Sequence, residues 1–345
     1  MLKKILIGVA VLITITIISF QLYVNSGIEL PSNTDQIVQK VLEADDVPEF
    51  IKGKTGFAKN GDIDIWYEVM GDLDSSKGTI LLIMGHGATA MAWNSNFYQL
   101  FVDSGYQVIR YDNRGLGESN WMTDWTEKNA YSLEDMAKDG MAVLDAVNVA
   151  KAHIIGVSMG GMIAQRIAIS HSDRVLSLNS IMSSGDMNDE TIPFPEDFMP
   201  DITKLVLKYI LINPNEANRM KFSVGVRQML KGDGPYEFDV KRAAQKSLYE
   251  LRKRKGYNAK VGDQHTAAIN NSGSRLDELK NITAPALVIH GKSDPLVVFE
   301  HGQKYAPMIP NAATLYIDGM GHDMPAVYMK QYHEAIFKNF AKAKM

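Results

Sequence analysis

Residues 152–165 read AHIIGVSMGGMIAQ: an apolar run enters Gly156-Val157-Ser158-Met159-Gly160, and a helix-like pattern leaves it. A serine set directly between a buried strand and a helix has to sit on a very tight turn. Such a turn needs flanking residues without side chains so that strand and helix can approach, and Gly156, Gly160 and Gly161 supply them. The turn pushes the Ser158 hydroxyl out at the carboxyl end of its strand, where a helix N-terminus favours developing negative charge. Gly-x-Ser-x-Gly arises by chance in many chains. The strand before it and the helix after it are what make it an elbow presenting a nucleophile.

Working outward, GTILLIMG (78–85), YQVIRYD (106–112), RVLSLNSIMS (174–183), APALVIHG (284–291) and ATLYIDG (313–319) are further short apolar runs bounded by turn residues, the pattern of buried strands. DIDIWYEVM (62–70) alternates with period two, and SLEDMAKDGMAVLDAVNV (132–149) has helical spacing with Ser132 as its N-cap. Strand, helix, strand in this rhythm predicts an α/β fold, a mostly parallel sheet with helices on both faces. Between Gly185 and about Gly273 the rhythm stops. That stretch is polar and helix-forming, enters through IPFPEDFMP and holds no convincing buried strand; it reads as a helical insertion over the sheet, a cap or lid. The chain closes on an amphipathic helix over about 324–340. The expected organisation is therefore an N-terminal segment (1–30), a polar connector punctuated by Pro31 and Pro48 (31–54), a core (55–184 and 274–345) and a lid (185–273).

A serine hydroxyl is a poor nucleophile until a base takes its proton, and the base needs a carboxylate to hold its tautomer. In a parallel sheet both belong just after later strands, at the edge where the elbow emerges. KSDPLV (292–297) puts Asp294 after one strand, and GMGHDMP (319–325) puts His322 after the last. The order Ser158, Asp294, His322 is the one this architecture calls for. The plainer readings are an Asp-Pro turn for Asp294 and a helix-capping role for His322. Attack on a carbonyl also needs N–H donors for the oxyanion. One is the amide of Met159, directly after the nucleophile; the other belongs to MGHGATAMAW (84–93), at His86 by register, with Gly87 as the alternative. The His86 side chain is either a bystander or a substrate contact. No second ligand stands at metal-site spacing from it, so no metal is expected.

Composition narrows the remaining classes. The 345 residues are 46% hydrophobic with a net charge of −4, enough for a large core and no pointer to nucleic acid. The absence of cysteine excludes disulfides, thiolate metal sites, a cysteine nucleophile and a lipidated cysteine. At the N-terminus, Lys3 and Lys4 precede an uncharged, mostly apolar run from Ile5 to about Val24, and Glu29 and Asp35 follow it. That length can span a bilayer, with the N-terminus in the cytoplasm and the rest outside. A poor Val24-Asn25-Ser26 cleavage site favours an uncleaved anchor over a secretory signal; cleavage would leave a secreted or periplasmic protein. YDNRGLGES (111–119) lacks the lysine and Ser/Thr of a phosphate loop and is expected to organise the loop beside the site. His265 either faces the pocket or lies on the surface. LRKRKGYNAK (251–260) reads as a solvated lid helix or, next to an anchor, as a contact for anionic lipid. The amphipathic DITKLVLKYILI (201–212) is expected to pack on the sheet.

Taken together, LLIMGHGATAMAW, VIRYDNRGLGES, GVSMGG, LVIHGKSDPLV and GMGHDMP, in that order from about residue 55 to the end, resemble the α/β-hydrolase fold family, specifically its lid-bearing branch of small-molecule esterases, methylesterases, lipases and cofactor-free haloperoxidases. The family's usual His-Gly pair after the first buried strand is here Met84-Gly85 followed by His86, a variant similar to that of antibiotic methylesterase-like members. The resemblance implies the same triad, oxyanion hole and lid, and no cofactor. The expected function is hydrolysis of a small or medium carboxylic ester with an apolar part, since a methionine-rich, mostly uncharged lid offers few charge-pairing groups. A perhydrolase or haloperoxidase, or a carbon–carbon bond hydrolase, on the same triad is the alternative. Aminopeptidase action is disfavoured because no acidic cluster awaits an amine, and a non-catalytic binding protein because all three triad positions are filled.

Overall fold

The computed structural model describes residues 2–72 and 77–344, and of residues 2–13 the backbone alone. Along the chain, helices α1 (Leu2–Asn25) and α2 (Thr34–Leu42) precede strands β1 (Lys54–Asn60), β2 (Ile63–Met70) and β3 (Thr79–Ile83). Helix α3 (Ser95–Asp103), strand β4 (Gln107–Tyr111), helix α4 (Leu133–Ala146), strand β5 (Ala152–Val157), helix α5 (Met159–Ser170) and strand β6 (Val175–Ile181) follow. Helices α6 (Phe198–Val206), α7 (Glu216–Leu230), α8 (Val240–Lys253) and α9 (Val261–Ser272) occupy the insertion. Strand β7 (Ala286–Gly291), helix α10 (Phe299–Tyr305), strand β8 (Ala313–Ile317) and helix α11 (Met329–Phe340) complete the chain.

The eight strands form one sheet in the order β1-β2-β4-β3-β5-β6-β7-β8. β1, β2 and β4 pair antiparallel, and from β4 through β3 to β8 every pairing is parallel. The central strands β3 to β7 are buried along their whole length because both faces are covered. Leu81, Ile83, Ile109, Ile154 and Val288 point into one core, which includes Met136, Leu144, Met162 and Ile163 of α4 and α5. Ile80, Leu82, Val108, Ile155 and Ile289 point into the other, with Phe97 and Phe101 of α3 and Tyr332 and Ile336 of α11. The period of two along a strand deals successive residues to opposite sides. Ser132 caps α4 as expected, in a capping box with Asp135.

Contacts divide the chain into two compact units. One comprises Met1–Val47, Pro195–Leu230 and Phe238–Leu248; the other comprises Pro48–Phe194, Lys231–Glu237 and Tyr249–Met345. The division cuts through the insertion, placing α9 and the end of α8 with the sheet. In the first unit Leu205, Tyr209 and Met229 cluster with Ile28, Leu30 and Phe222, while Val224, Val240 and Ala243 cluster with Leu30 and Ile37. The first of these clusters holds the packing partners of 201–212, where the amphipathic pattern alone suggested the sheet. The N-terminal stretch contributes Ile28, Leu30 and Ile37 to these clusters.

Among the described residues no helix is long and apolar enough to cross a membrane. The side chains of Lys3, Lys4 and the first part of the expected span lie outside the described residues. Its second part carries exposed Ile15, Ile17, Ile18, Phe20 and Leu22.

Candidate active site

Ser158 lies between β5 and α5 with φ 57° and ψ −125°, left-handed backbone that a residue with a Cβ adopts at a strain of about 1–3 kcal/mol. The turn is pinned from several directions. Ser158 N–H donates to Ile181 O at 2.9 Å and Ser158 O accepts from Gly161 N–H at 2.8 Å, while Ser183 Oγ donates to the same carbonyl at 2.8 Å. The flanking glycines are required by close approach: a Cβ on Gly156 would stand 2.1 Å from Gly160 O, and one on Gly160 would stand 2.1 Å from Ile83 O. The side chain of Ser158 stays half-buried, and among the described residues its Oγ makes no hydrogen bond. The hydroxyl is therefore presented and uncommitted.

Asp294 and His322 meet. His322 Nδ1 lies 2.8 Å from Asp294 Oδ2, and the other carboxylate oxygen accepts the N–H groups of Leu296 and Val297, both at 2.9 Å. Two backbone donors thus lock the carboxylate, which in turn fixes the imidazole. The loops that carry them are joined, since Ser293 N–H donates to Met320 O at 3.1 Å. β5, β6, β7 and β8 are parallel neighbours, with Val157 facing Ile181, Ile181 facing Ile289 and Gly291 facing Ile317. Ser158, Asp294 and His322 all follow carboxyl ends of these strands, so one sheet edge collects them. Behind them His290 Nε2 donates to Val297 O at 2.7 Å and stands 3.6 Å from Asp294 Oδ2. Burial lowers the pKa of His290 and keeps the ring neutral.

The loop after β3 lies against Ser158: a Cβ on Gly85 would approach Ser158 Cβ to 2.9 Å. The backbone amides of Met159 and His86 donate to nothing among the described residues. The Gly87 amide is committed, donating to His265 Nδ1 at 3.1 Å. Of the two donors weighed at this loop, His86 has the available N–H.

The loop is held all round. Asn113 Nδ2 donates to Met84 O at 2.8 Å, Ala90 N–H donates to Asp112 Oδ1 at 2.8 Å, and Thr89 Oγ1 donates to the buried Glu250 carboxylate. The 111–119 stretch accordingly organises the loop, as its sequence suggested; Arg114, instead of awaiting an anion, is paired at 2.7 Å with buried Asp139.

Several residues lie elsewhere than the sequence suggested. His265 is fully buried, neither facing a pocket nor on the surface. The His86 ring reaches Gly262 O at 3.0 Å and Thr266 Oγ1 at 3.1 Å on α9, so it serves as a brace. The basic run 251–260 is not a free cationic face: Arg254 is buried against Asp112 and lies 3.5 Å from Glu250, over the Trp66 ring, and Lys255 bonds Glu118. Sequence reasoning also missed Tyr236, whose hydroxyl donates to Asp323 Oδ1 at 2.7 Å and accepts from Gly232 and Gly321. Its signal was only an aromatic residue inside a polar, glycine-containing turn. Among the described residues no group of acidic, histidine or cysteine side chains could hold a metal.

A family model of the alpha/beta hydrolase fold matches residues 78–326. The chain belongs to that family. Among curated relatives, the rhodomycin D methylesterase of Streptomyces peucetius is 27% identical over 79% of this chain and 93% of its own length. Among solved structures, a meta-cleavage product hydrolase from Pseudomonas fluorescens superposes with a TM-score of 0.65 at 19% identity, covering 85% of this chain and 98% of that one. A bromoperoxidase from Bacillus anthracis superposes with a TM-score of 0.61 at 22% identity, covering 84% and 100%. These two likenesses speak for the fold alone, whereas family membership and the methylesterase relative support a hydrolase.

Proposed function

We propose that the protein is a serine hydrolase that cleaves a small or medium carboxylic ester through an acyl-enzyme. The observation that carries this reading is the 2.8 Å contact between His322 Nδ1 and Asp294 Oδ2 at the sheet edge where the strained Ser158 emerges. Ser158 Oγ attacks the carbonyl carbon as its proton passes to His322 Nε2, and the carbonyl oxygen becomes an anion received by the amides of Met159 and His86. Collapse of this intermediate expels the alcohol, which takes its proton from His322 and leaves the acyl group on Ser158. Water, deprotonated by His322, then releases the acid and restores the hydroxyl. Asp294 stabilises the imidazolium in both halves.

An apolar acyl or alcohol part suits the methionines of the insertion, Met187, Met199, Met220 and Met229, which adapt to varied shapes. The insertion, 185–273, is read as the lid that selects the substrate. Segment 1–30 is read as the anchor that keeps the catalytic domain at a membrane, outside the cytoplasm; its cleavage would leave the domain secreted or periplasmic. Supporting this are Lys3 and Lys4, the uncharged run behind them and the exposed isoleucines of the second half of α1.

The test is hydrolysis of p-nitrophenyl esters of increasing acyl length by the full chain and by its Ser158→Ala variant. Turnover should drop on the order of 10⁵-fold or more in the variant, and a fluorophosphonate should label the wild type alone. Equal turnover in both proteins would end the reading. Halide oxidation from peroxide and acetate, with no ester cleavage, would move the triad to perhydrolysis. The anchor is checked separately: the chain should remain with membranes after alkaline carbonate washing, and a soluble, full-length product would refute it.

A further inference from the structure

We propose that His265 is a positioning residue of the active site, one that fixes the loop holding the His86 amide by accepting the hydrogen bond of the next amide, Gly87. The inference rests on the reading of the His86 N–H as an oxyanion donor.

Gly87 is the weak point of that loop. Its φ is +64°, and a Cβ built on it meets nothing within 4 Å; packing does not set the orientation of the His86–Gly87 peptide. A hydrogen bond does, from Gly87 N–H to His265 Nδ1 at 3.1 Å. His265 is fully buried on α9, and its other nitrogen donates to Arg114 O at 3.1 Å. Because a backbone carbonyl accepts only from an N–H, the proton resides on Nε2 and Nδ1 keeps its lone pair for Gly87.

The brace is reciprocal. His86 sends its own ring to Gly262 O and Thr266 Oγ1, one residue after His265 on the same helix, and the two rings meet edge-on at 5.6 Å. With the side chain of His86 tied to α9 on one side and the following amide tied to α9 on the other, the remaining free donor of the pair, the His86 N–H, has its direction determined. Burial and the neighbouring His86 lower the pKa of His265 to about 3, so the acceptor persists across the pH range of hydrolysis. Neither imidazole touches the reacting atoms. Their effect on rate passes through the loop.

Two amide substitutions separate positioning from mere packing. In His265→Asn the side-chain oxygen can stand where Nδ1 stood and keep the acceptor for Gly87. In His265→Gln the amide reaches the former Nε2 position, keeps the bond to Arg114 O and leaves Gly87 without a partner. With a p-nitrophenyl ester, the Gln variant should lose about 10- to 100-fold in kcat with KM nearly unchanged, since displacing a reacting-centre contact by about 1 Å has that effect. It should lose affinity for an alkyl boronic acid, which forms a tetrahedral adduct on serine, by a similar factor. The Asn variant should recover most of both. Equal losses in the two variants, or a fall in thermal midpoint with kcat and boronate affinity intact in the Gln variant, would overturn the proposal. A wild type without Ser158-dependent turnover would instead sink the hydrolase reading beneath it, a result the Ser158→Ala control separates from failure of the brace.

Discussion

Two loops lie at the sheet edge from which Ser158 emerges, and they are held by opposite means. The loop after β3 is gripped by buried side chains: Asn113 on Met84, His265 on Gly87, the Glu250 carboxylate on Thr89 and Asp112 on Ala90. The loop after β8 is held at its base by the hydroxyl of Tyr236, which bonds Gly321 and Asp323, and among the described residues the His322 imidazole is hydrogen-bonded by Asp294. The difference matches what each loop has to do under the proposed mechanism. Oxyanion donors work by being preorganised, so any drift reduces their effect, whereas a proton shuttle has to reach two partners in turn. Both sets of restraints come in part from the insertion, through Lys231–Glu237 on one loop and the stretch after Tyr249 on the other. These parts of the insertion buttress the two loops.

The largest expected effect tests the lightly held loop. Asp294→Asn leaves His322 in place but offers an amide where a carboxylate stood, so the ring can take the wrong tautomer. The expected loss in kcat is on the order of 10⁴-fold with little change in fold, judged by circular dichroism and urea midpoint. A loss below tenfold would mean that His322 is oriented by something else and that the contrast between the loops is misdrawn. The next effect tests the firmly held loop. Arg254 is paired with Asp112 and stands near Glu250 and Glu118, so Arg254→Met strands buried carboxylates. Removal of one partner of a buried ion pair destabilises by about 3–5 kcal/mol, and the urea midpoint should fall accordingly. A loss of under about 1 kcal/mol, the range of exposed pairs, would show that the charge network is not what holds this loop.

The legibility of the two loops from sequence differs for the same reason. Six strands could be read as apolar runs bounded by turn residues and β2 by its period-two alternation, and Ser158, Asp294 and His322 could be picked out as candidates because chemistry dictates both their types and their places after strand ends. β1 escaped notice. KTGFAKN has two apolar residues other than glycine, and Phe57 is exposed; an outer strand facing water on one side carries little hydrophobic signal. Its trace lay in Asn60-Gly61, the turn that returns the chain to β2 with Gly61 at φ +59°. The brace residues left no such trace. His265 meets Gly87 from 178 positions away, and in sequence it is one histidine on a helix. Arg254 sits in a run of lysines and arginines that looks like a solvated face, and only the fold selects it for burial. Spacing reveals groups that share an element, whereas a buttress is defined by the element it meets.

Acid tests the bracing of the firmly held loop. His265, with its pKa lowered to about 3 by burial, and His153, lowered to about 4 by the same cause, are neutral in the folded protein but take protons near 6.5 once unfolded. Between those values the unfolded chain binds more protons, so stability rises with pH; the contribution is complete above about 6.5 and disappears as pH falls through the folded pKa. Each group adds a slope of up to about 1.4 kcal/mol per pH unit in that window. Urea midpoints measured from pH 7 to pH 4 should therefore decline, and His265→Asn should decline less steeply. An unchanged slope would mean that this imidazole is not held neutral, which contradicts a lone pair facing Gly87.

The smallest effect concerns Tyr236. Its hydroxyl accepts from Gly232 N–H at 2.9 Å and from Gly321 N–H at 3.3 Å while donating to Asp323 Oδ1 at 2.7 Å, so Tyr236→Phe removes one oxygen that three polar groups share. The expected loss of stability is about 1 kcal/mol, the net value of an ordinary hydrogen bond. The more telling readout is kinetic. If the phenol holds only the base of the loop, kcat should fall by less than about tenfold, because His322 keeps its carboxylate partner. A fall comparable to that of Asp294→Asn would make Tyr236 as decisive for the proton shuttle as the buried charges are for the oxyanion loop. The two loops would then be fixed equally firmly by different chemistry.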